Sequence, residues 1–167
     1  MTVYTYMASP LGALLLVRDG AGLRQIVFAK NGQPAEPQPE WQEDSAAFRE
    51  VTTQLKSYFA AQLKTFDLPL APEGTPFQQL VWGELLKIPY GETISYGELA
   101  HRIGNPKASR AVGLANGSNP IPIVIPCHRV IGSNGKLTGY GGGLPIKEKL
   151  LALEHKQLSF GSLPIRL

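Results

Sequence analysis

The stretch Ala71-Pro72-Glu73-Gly74-Thr75-Pro76-Phe77-Gln78 divides the chain. Ala71 to Gly74, with its proline and glycine, is the best linker in the sequence. Directly after it comes a helix start: Thr75 as cap, Pro76 in the first turn and Gln78 as the capping-box partner. The texture differs on the two sides, which predicts two domains, residues 1–72 and 73–167. The fold class is α/β, with a small α/β scaffold domain followed by a mainly helical one. On the N-terminal side, Val3 to Ala8, Ala13 to Val17 and Leu23 to Phe28 read as a β-meander, with Asp19-Gly20 as a hairpin signal. Residues 31–40 read as a loop. Phe48, Val51, Leu55, Tyr58, Phe59 and Leu63 then recur at helical spacing behind a cap at Asp44 or Ser45. Thr65 to Leu70 is expected to return as a strand.

On the C-terminal side, the helix opened at Thr75 turns Phe77, Leu80, Val81, Leu85 and Ile88 inward and stops at Pro89-Tyr90-Gly91. Ser95 with Glu98 is a second capping box, opening a short helix through Ile103. Asn105-Pro106 opens a third, from Lys107 to about Asn116. Two short helices joined by a Gly104-Asn105 turn outline a helix-turn-helix. The third helix is built of small residues around Arg110, with Gly113 and Gly117 that helix propensity alone does not favour. Such residues serve either the close approach of another surface or tight packing on a neighbouring helix. A last helix from Pro145 carries Ile146, Leu150, Leu151 and Leu153 inward, with Glu154 near its end.

Composition narrows the function. The chain has 167 residues, 43% of them hydrophobic and 17% charged, enough to bury a core. Its longest apolar runs, such as Leu14 to Val17, are far short of a membrane span, and no basic-then-apolar leader opens it. No membrane partner and a cytoplasmic location are therefore expected. There is one cysteine, Cys127, so no internal disulfide can form. The three histidines His101, His128 and His155 have no zinc spacing with it, so no metal is expected. Charge is lopsided: residues 1–72 carry a net −1, residues 73–167 a net +4, and residue 101 onward a net +7. That bias fits a polyanion-binding surface or a plain solvated face.

The stretch that bears chemistry is Asn119-Pro120-Ile121-Pro122-Ile123-Val124-Ile125-Pro126-Cys127-His128-Arg129-Val130. An apolar run framed by prolines predicts a short buried extended segment that delivers Cys127 at its end. A thiolate is the reactive form of cysteine, and an imidazole within reach can take its proton. His128 stands as that base or as a satisfied core histidine. Read from residues alone, a cysteine acyl-transfer enzyme and a non-catalytic helix-turn-helix protein both remain open. The run Gly139-Tyr140-Gly141-Gly142-Gly143 lacks the Lys-Ser/Thr of a phosphate-binding loop.

Pro126-Cys127-His128-Arg129-Val130 resembles the active-site motif of the O6-alkylguanine-DNA alkyltransferases, the methylated-DNA–protein-cysteine methyltransferases. Gly74 to Gln78, Ile88 to Gly91, Ser95 to Ala100, Arg110 to Gly113, Asn116-Gly117, Asn119-Pro120, Gly139-Tyr140 and Lys147-Glu148 are also similar to that family, in order and spacing. The resemblance spans residues 74–155 almost continuously. It implies a ribonuclease-H-like N-terminal domain and a winged-helix-like C-terminal one. It further implies that Cys127 accepts the alkyl group, His128 is its water-bridged base, Glu154 orients His128, and Asn119 shapes the turn. Tyr96 would bond the extruded base, and Arg110 would fill the gap it leaves from a helix docked in the minor groove. The implied DNA- and base-binding set also includes Ala111, Gly113, Ala115, Asn116, Arg129, Val130, Tyr140, Gly141 and Lys147. Gly141 stands where some relatives carry serine, leaving only a backbone amide toward the alkylated oxygen. The implied partner is double-stranded DNA holding O6-alkylguanine, with O4-alkylthymine as a second substrate, no cofactor and a monomeric protein.

The residue types suit that reaction. Displacement at an sp³ carbon needs a polarisable nucleophile, which a thiolate is and a serine hydroxyl at neutral pH is not. The target oxygen lies inside the duplex, so the base must swing out, costing a few kcal/mol that a damaged pair partly relieves. The product is a thioether that water has no easy route to cleave, so each molecule is expected to act once.

Overall fold

The computed structural model describes residues 1–135 and 143–158, apart from the side chains of 156–158. It contains two compact units, Met1–Glu73 and Gly74–Leu167.

The first unit is a four-stranded sheet with a helix. Strands β1 (Val3–Met7), β2 (Leu14–Asp19), β3 (Gly22–Val27) and β4 (Gln42–Glu43) lie in the order β3-β2-β1-β4. β1, β2 and β3 pair antiparallel, and β4 adds to β1 in parallel. Leu14, Leu15, Leu16 and Val17 are all buried, as a continuous apolar run in a central strand should be. The Asp19 carboxylate accepts the Ala21 amide and so closes the hairpin where Asp19-Gly20 predicts it. Asp44 caps a 3₁₀ turn, Ser45–Phe48, which runs into α1 (Arg49–Phe59). α1 turns Val51, Leu55 and Tyr58 inward.

Two expectations for this unit need correction. Leu63 lies past the end of α1, because the chain breaks out at Ala60 and Ala61 takes φ +61°. Thr65 to Leu70 forms no strand and contributes one bridge, Leu23 to Leu70. Pro69 has no N–H to extend a ladder, and the Asp67 backbone is engaged by both ends of the Gln54 amide. Pro69 O accepts the Leu23 amide at 2.9 Å, and a Cβ on Gly22 would meet that oxygen at 2.6 Å.

The second unit is helical. α2 (Pro76–Leu85) begins with the full reciprocal capping box of Thr75 and Gln78. Its inward face is Val81, Trp82 and Leu85, whereas Leu80, expected inside, is 52% exposed. Trp82 takes the place, its indole N–H donating to Ala115 O at 2.8 Å. Gly74 lies under the Trp82 ring, where no Cβ would fit. β5 (Ile94–Ser95) leads into α3 (Tyr96–Arg102), capped by the Ser95 hydroxyl. A turn with Gly104 at φ +83° leads to α4 (Ser109–Gly117). α4 starts two residues later than the sequence suggests, because Ala108 N closes a turn on Asn105 O.

The proline-framed stretch is also different from its expected form. It is a compact buried turn, closed by Ile125 N on Ile121 O at 2.9 Å, with Ile123 at φ +75°. Proline is as compatible with turns as with extended chain, and Asn119 Oδ1 accepts the Ile121 amide to start this one. Cys127–Arg129 then form a 3₁₀ turn that enters β6 (Val130–Ile131). β6 pairs in parallel with β5, placing Ile94 beside Val130 and Ser95 beside Ile131. α5 (Leu144–Leu158) closes the unit, with Leu150 and Leu151 buried as expected and Ile146 and Leu153 only half-buried.

Candidate active site

The β5–β6 pairing joins two points that are about 35 residues apart in sequence: the N-terminus of α3, with Tyr96, and the turn that holds Cys127. Cys127 itself exposes 4% of its surface. Behind it, His128 Nε2 meets Glu154 Oε2 at 2.7 Å, and both side chains are buried. Glu154 comes from α5, one face of which carries Lys147, Leu150, Leu151 and Glu154 inward at helical spacing.

Arg129 forks onto the same carboxylate, with Nε to Oε1 and Nη2 to Oε2, both at 2.9 Å, while Nη1 donates to Ile88 O at 2.7 Å. Its guanidinium also lies 5.7 Å from the centre of the Tyr90 ring. Burial alone would raise Glu154, but His128 and Arg129 outweigh it and hold the carboxyl well below the usual range. Burial is also the largest influence on His128, pushing it below its ordinary value despite the opposing pull of Glu154. The resting pair is thus an ionised carboxylate and a neutral imidazole. The ionised carboxylate can only accept, so His128 carries its proton on Nε2 and keeps a lone pair on Nδ1. That Nδ1 is buried and has no hydrogen-bond partner among the described residues.

Lys147 is fully buried, with Nζ donating to Val130 O at 2.7 Å and lying 5.9 Å from the centre of the Tyr96 ring. Burial lowers its pKa to about 8, while the charge of Cys127 pulls it back up.

The remaining sequence candidates divide by exposure. Arg110 and Ala111 are exposed on α4, and Gly113 is half-buried, where an added Cβ would meet the Tyr96 ring at 3.8 Å. Ala115 and Asn116 are buried, and Asn116 Nδ2 donates to Cys127 O at 3.3 Å. Arg129, expected toward DNA, is spent on Glu154 and Ile88, and the Val130 carbonyl is taken by Lys147. Asn119 Nδ2 holds Ile125 O at 2.8 Å. Tyr140 and Gly141 lie outside the described residues. Among the described residues no group of three or more His, Cys, Asp or Glu could hold a metal, and no helix is long and apolar enough to cross a membrane. Sequence reading missed the burial of Lys147, although its i, i+3, i+4, i+7 phase with Leu150, Leu151 and Glu154 was a usable signal.

Helices α3 and α4 stand in helix-turn-helix order beside the turn that holds the buried Cys127, and that arrangement has relatives. Residues 76–156 match the 6-O-methylguanine DNA methyltransferase DNA binding domain, and residues 2–72 match the ribonuclease-like domain of the same proteins. The chain belongs to the 6-O-methylguanine DNA methyltransferase family. It is similar to the methylated-DNA–protein-cysteine methyltransferase of Methanosarcina acetivorans, with 58% identity over 151 residues that cover 90% of this chain and 97% of the relative. The Mycobacterium tuberculosis protein of the same name is 53% identical over 155 residues, covering 92% and 93%. The crystal structure of Mycobacterium tuberculosis O6-methylguanine methyltransferase superposes with a TM-score of 0.87 at 51% identity, covering 94% of each chain. Mycobacterium tuberculosis OGT in complex with DNA gives 0.86 at 51% identity, covering 92% and 93%.

Proposed function

We propose that this chain repairs DNA by direct reversal, moving the alkyl group of O6-alkylguanine onto Cys127. One observation carries the reading: His128 is held by an ionised Glu154 with its Nδ1 lone pair bare, on the residue next to the chain's one cysteine. The proton of Cys127 passes toward that lone pair, directly or through a water. The thiolate Sγ attacks the alkyl carbon in line; the S–C bond forms as the C–O6 bond breaks, and guanine leaves with the electron pair. The Tyr96 hydroxyl is the donor aimed at the departing base. Lys147 supports the thiolate until transfer removes its charge.

DNA is the partner, and α4 is the element that meets it, in the minor groove, with Arg110 filling the space of the swung-out nucleotide. The thioether product makes the protein a single-use, monomeric reagent, with O4-alkylthymine as a second substrate. The test is intact-mass and peptide mapping after mixing with a duplex that bears one O6-methylguanine. One methyl per protein, on Cys127, is expected. A methyl on another residue, or repaired DNA in excess of protein, would refute the assignment.

A further inference from the structure

Asn116 faces the interior of the second unit. Its side chain is 2% exposed, one turn before Asn119 at the C-terminal end of α4. The two amides do the same work on successive parts of one segment: Asn119 Nδ2 donates to Ile125 O at 2.8 Å, and Asn116 Nδ2 donates to Cys127 O at 3.3 Å. Between those carbonyls the chain makes the corner that sets up the Cys127–Arg129 turn. Packing does not explain the choice of asparagine. Asn116 Oδ1 is buried and has no partner among the described residues, a stranded acceptor that leucine would avoid in nearly the same volume.

We propose that Asn116 is a positioning residue for the nucleophile, fastening the backbone of Cys127 to the helix that carries Arg110. Arg110 and Asn116 lie six positions apart on α4, so the helix that meets DNA and the turn that holds Sγ move as one body. Placement of Sγ against the alkyl carbon then follows from placement of α4 in the groove. This rests on the alkyl-transfer reading above.

The test is Asn116→Leu in the full chain, followed by single-turnover transfer from an O6-methylguanine duplex at saturating protein. Loosening an attacking atom by a fraction of an ångström predicts a saturating rate constant about tenfold lower. Duplex affinity is expected to stay the same, and the melting temperature to hold or rise. A saturating rate equal to that of the wild type overturns the proposal, as does a loss that appears only as weaker duplex binding. The wild-type protein gives a second measurement that depends on neither folding of the variant nor transfer. The Asn116 Nδ2 protons should exchange with solvent far more slowly than those of exposed Asn31, and equal exchange overturns the clamp. If the wild type transfers no alkyl group, the functional reading falls, and the exchange measurement still decides the clamp.

Discussion

The two units treat buried polarity in opposite ways. Among the described residues of the first unit one polar side chain is buried, Thr5, whose hydroxyl donates a hydrogen bond to Glu43 Oε2 at 3.0 Å. The second unit buries Asn116, His128, Arg129, Lys147 and Glu154 together. Burying an ion pair often gains nothing over a well-packed apolar core, while stranding one partner is expensive. A scaffold therefore keeps its charges outside, as Arg24 and Asp19 do at a hairpin end. Four buried ionisable groups in one unit mark it as the place where stability is given up for a site.

The sharpest way to break this comparison is Cys127→Ala. Transfer is expected to vanish with duplex affinity and melting temperature nearly unchanged; a parallel loss of DNA binding would mean that the second unit does not separate docking from chemistry. Glu154→Ala comes next. It leaves the Arg129 guanidinium buried without its carboxylate, which costs about 3–5 kcal/mol by denaturant titration, and it frees His128, so the transfer rate of the folded fraction should fall as well. Leu55→Ala in the first unit costs a similar amount, roughly 2–5 kcal/mol, but the folded fraction should react at the wild-type rate. If both variants react alike, the contrast between the units is wrong.

Acid sharpens the same contrast. His128 has a folded pKa below its ordinary 6.5, and Glu154 one below its ordinary 4.5. Groups depressed by folding contribute stability that is complete above the unfolded value and is lost as pH falls toward the folded one. The denaturant midpoint should hold at neutral pH, begin to drop below about pH 6.5 and drop more steeply below about 4.5. A midpoint flat down to pH 4 would mean that neither group is held as described. Arg110→Ala is a smaller effect, on the order of tenfold slower in duplex DNA with free O6-benzylguanine little affected; equal slowing of both would remove the gap-filling role. Smallest is Thr5→Val, about 1 kcal/mol of stability with transfer untouched.

What could be read from the sequence was local. The Thr75–Gln78 box, the Asp44 cap and the Asp19-Gly20 turn each depend on contacts within four residues, and all three form. The pairing of His128 with Glu154 was legible only through family resemblance. What was not legible depends on partners far along the chain. The bond of Asn116 to the Cys127 carbonyl, and those of Arg129 to Glu154 and Ile88, join residues that nothing in the local sequence pairs. Proline in 119–126 fixes φ without choosing between strand and turn, so the segment was read as extended although Asn119 starts a turn. Leu80 fitted the inward pattern, yet Trp82 won the place by reaching the Ala115 carbonyl.

The central claim is that the resting site holds a neutral His128, protonated on Nε2, with a bare Nδ1 on the residue that follows Cys127. Nitrogen-15 NMR of the imidazole in the unreacted protein reads this directly. The expected spectrum at pH 7 shows a protonated Nε2 and an unprotonated Nδ1, unchanged down to about pH 6.5. An imidazolium at pH 7, or the opposite tautomer, would contradict it.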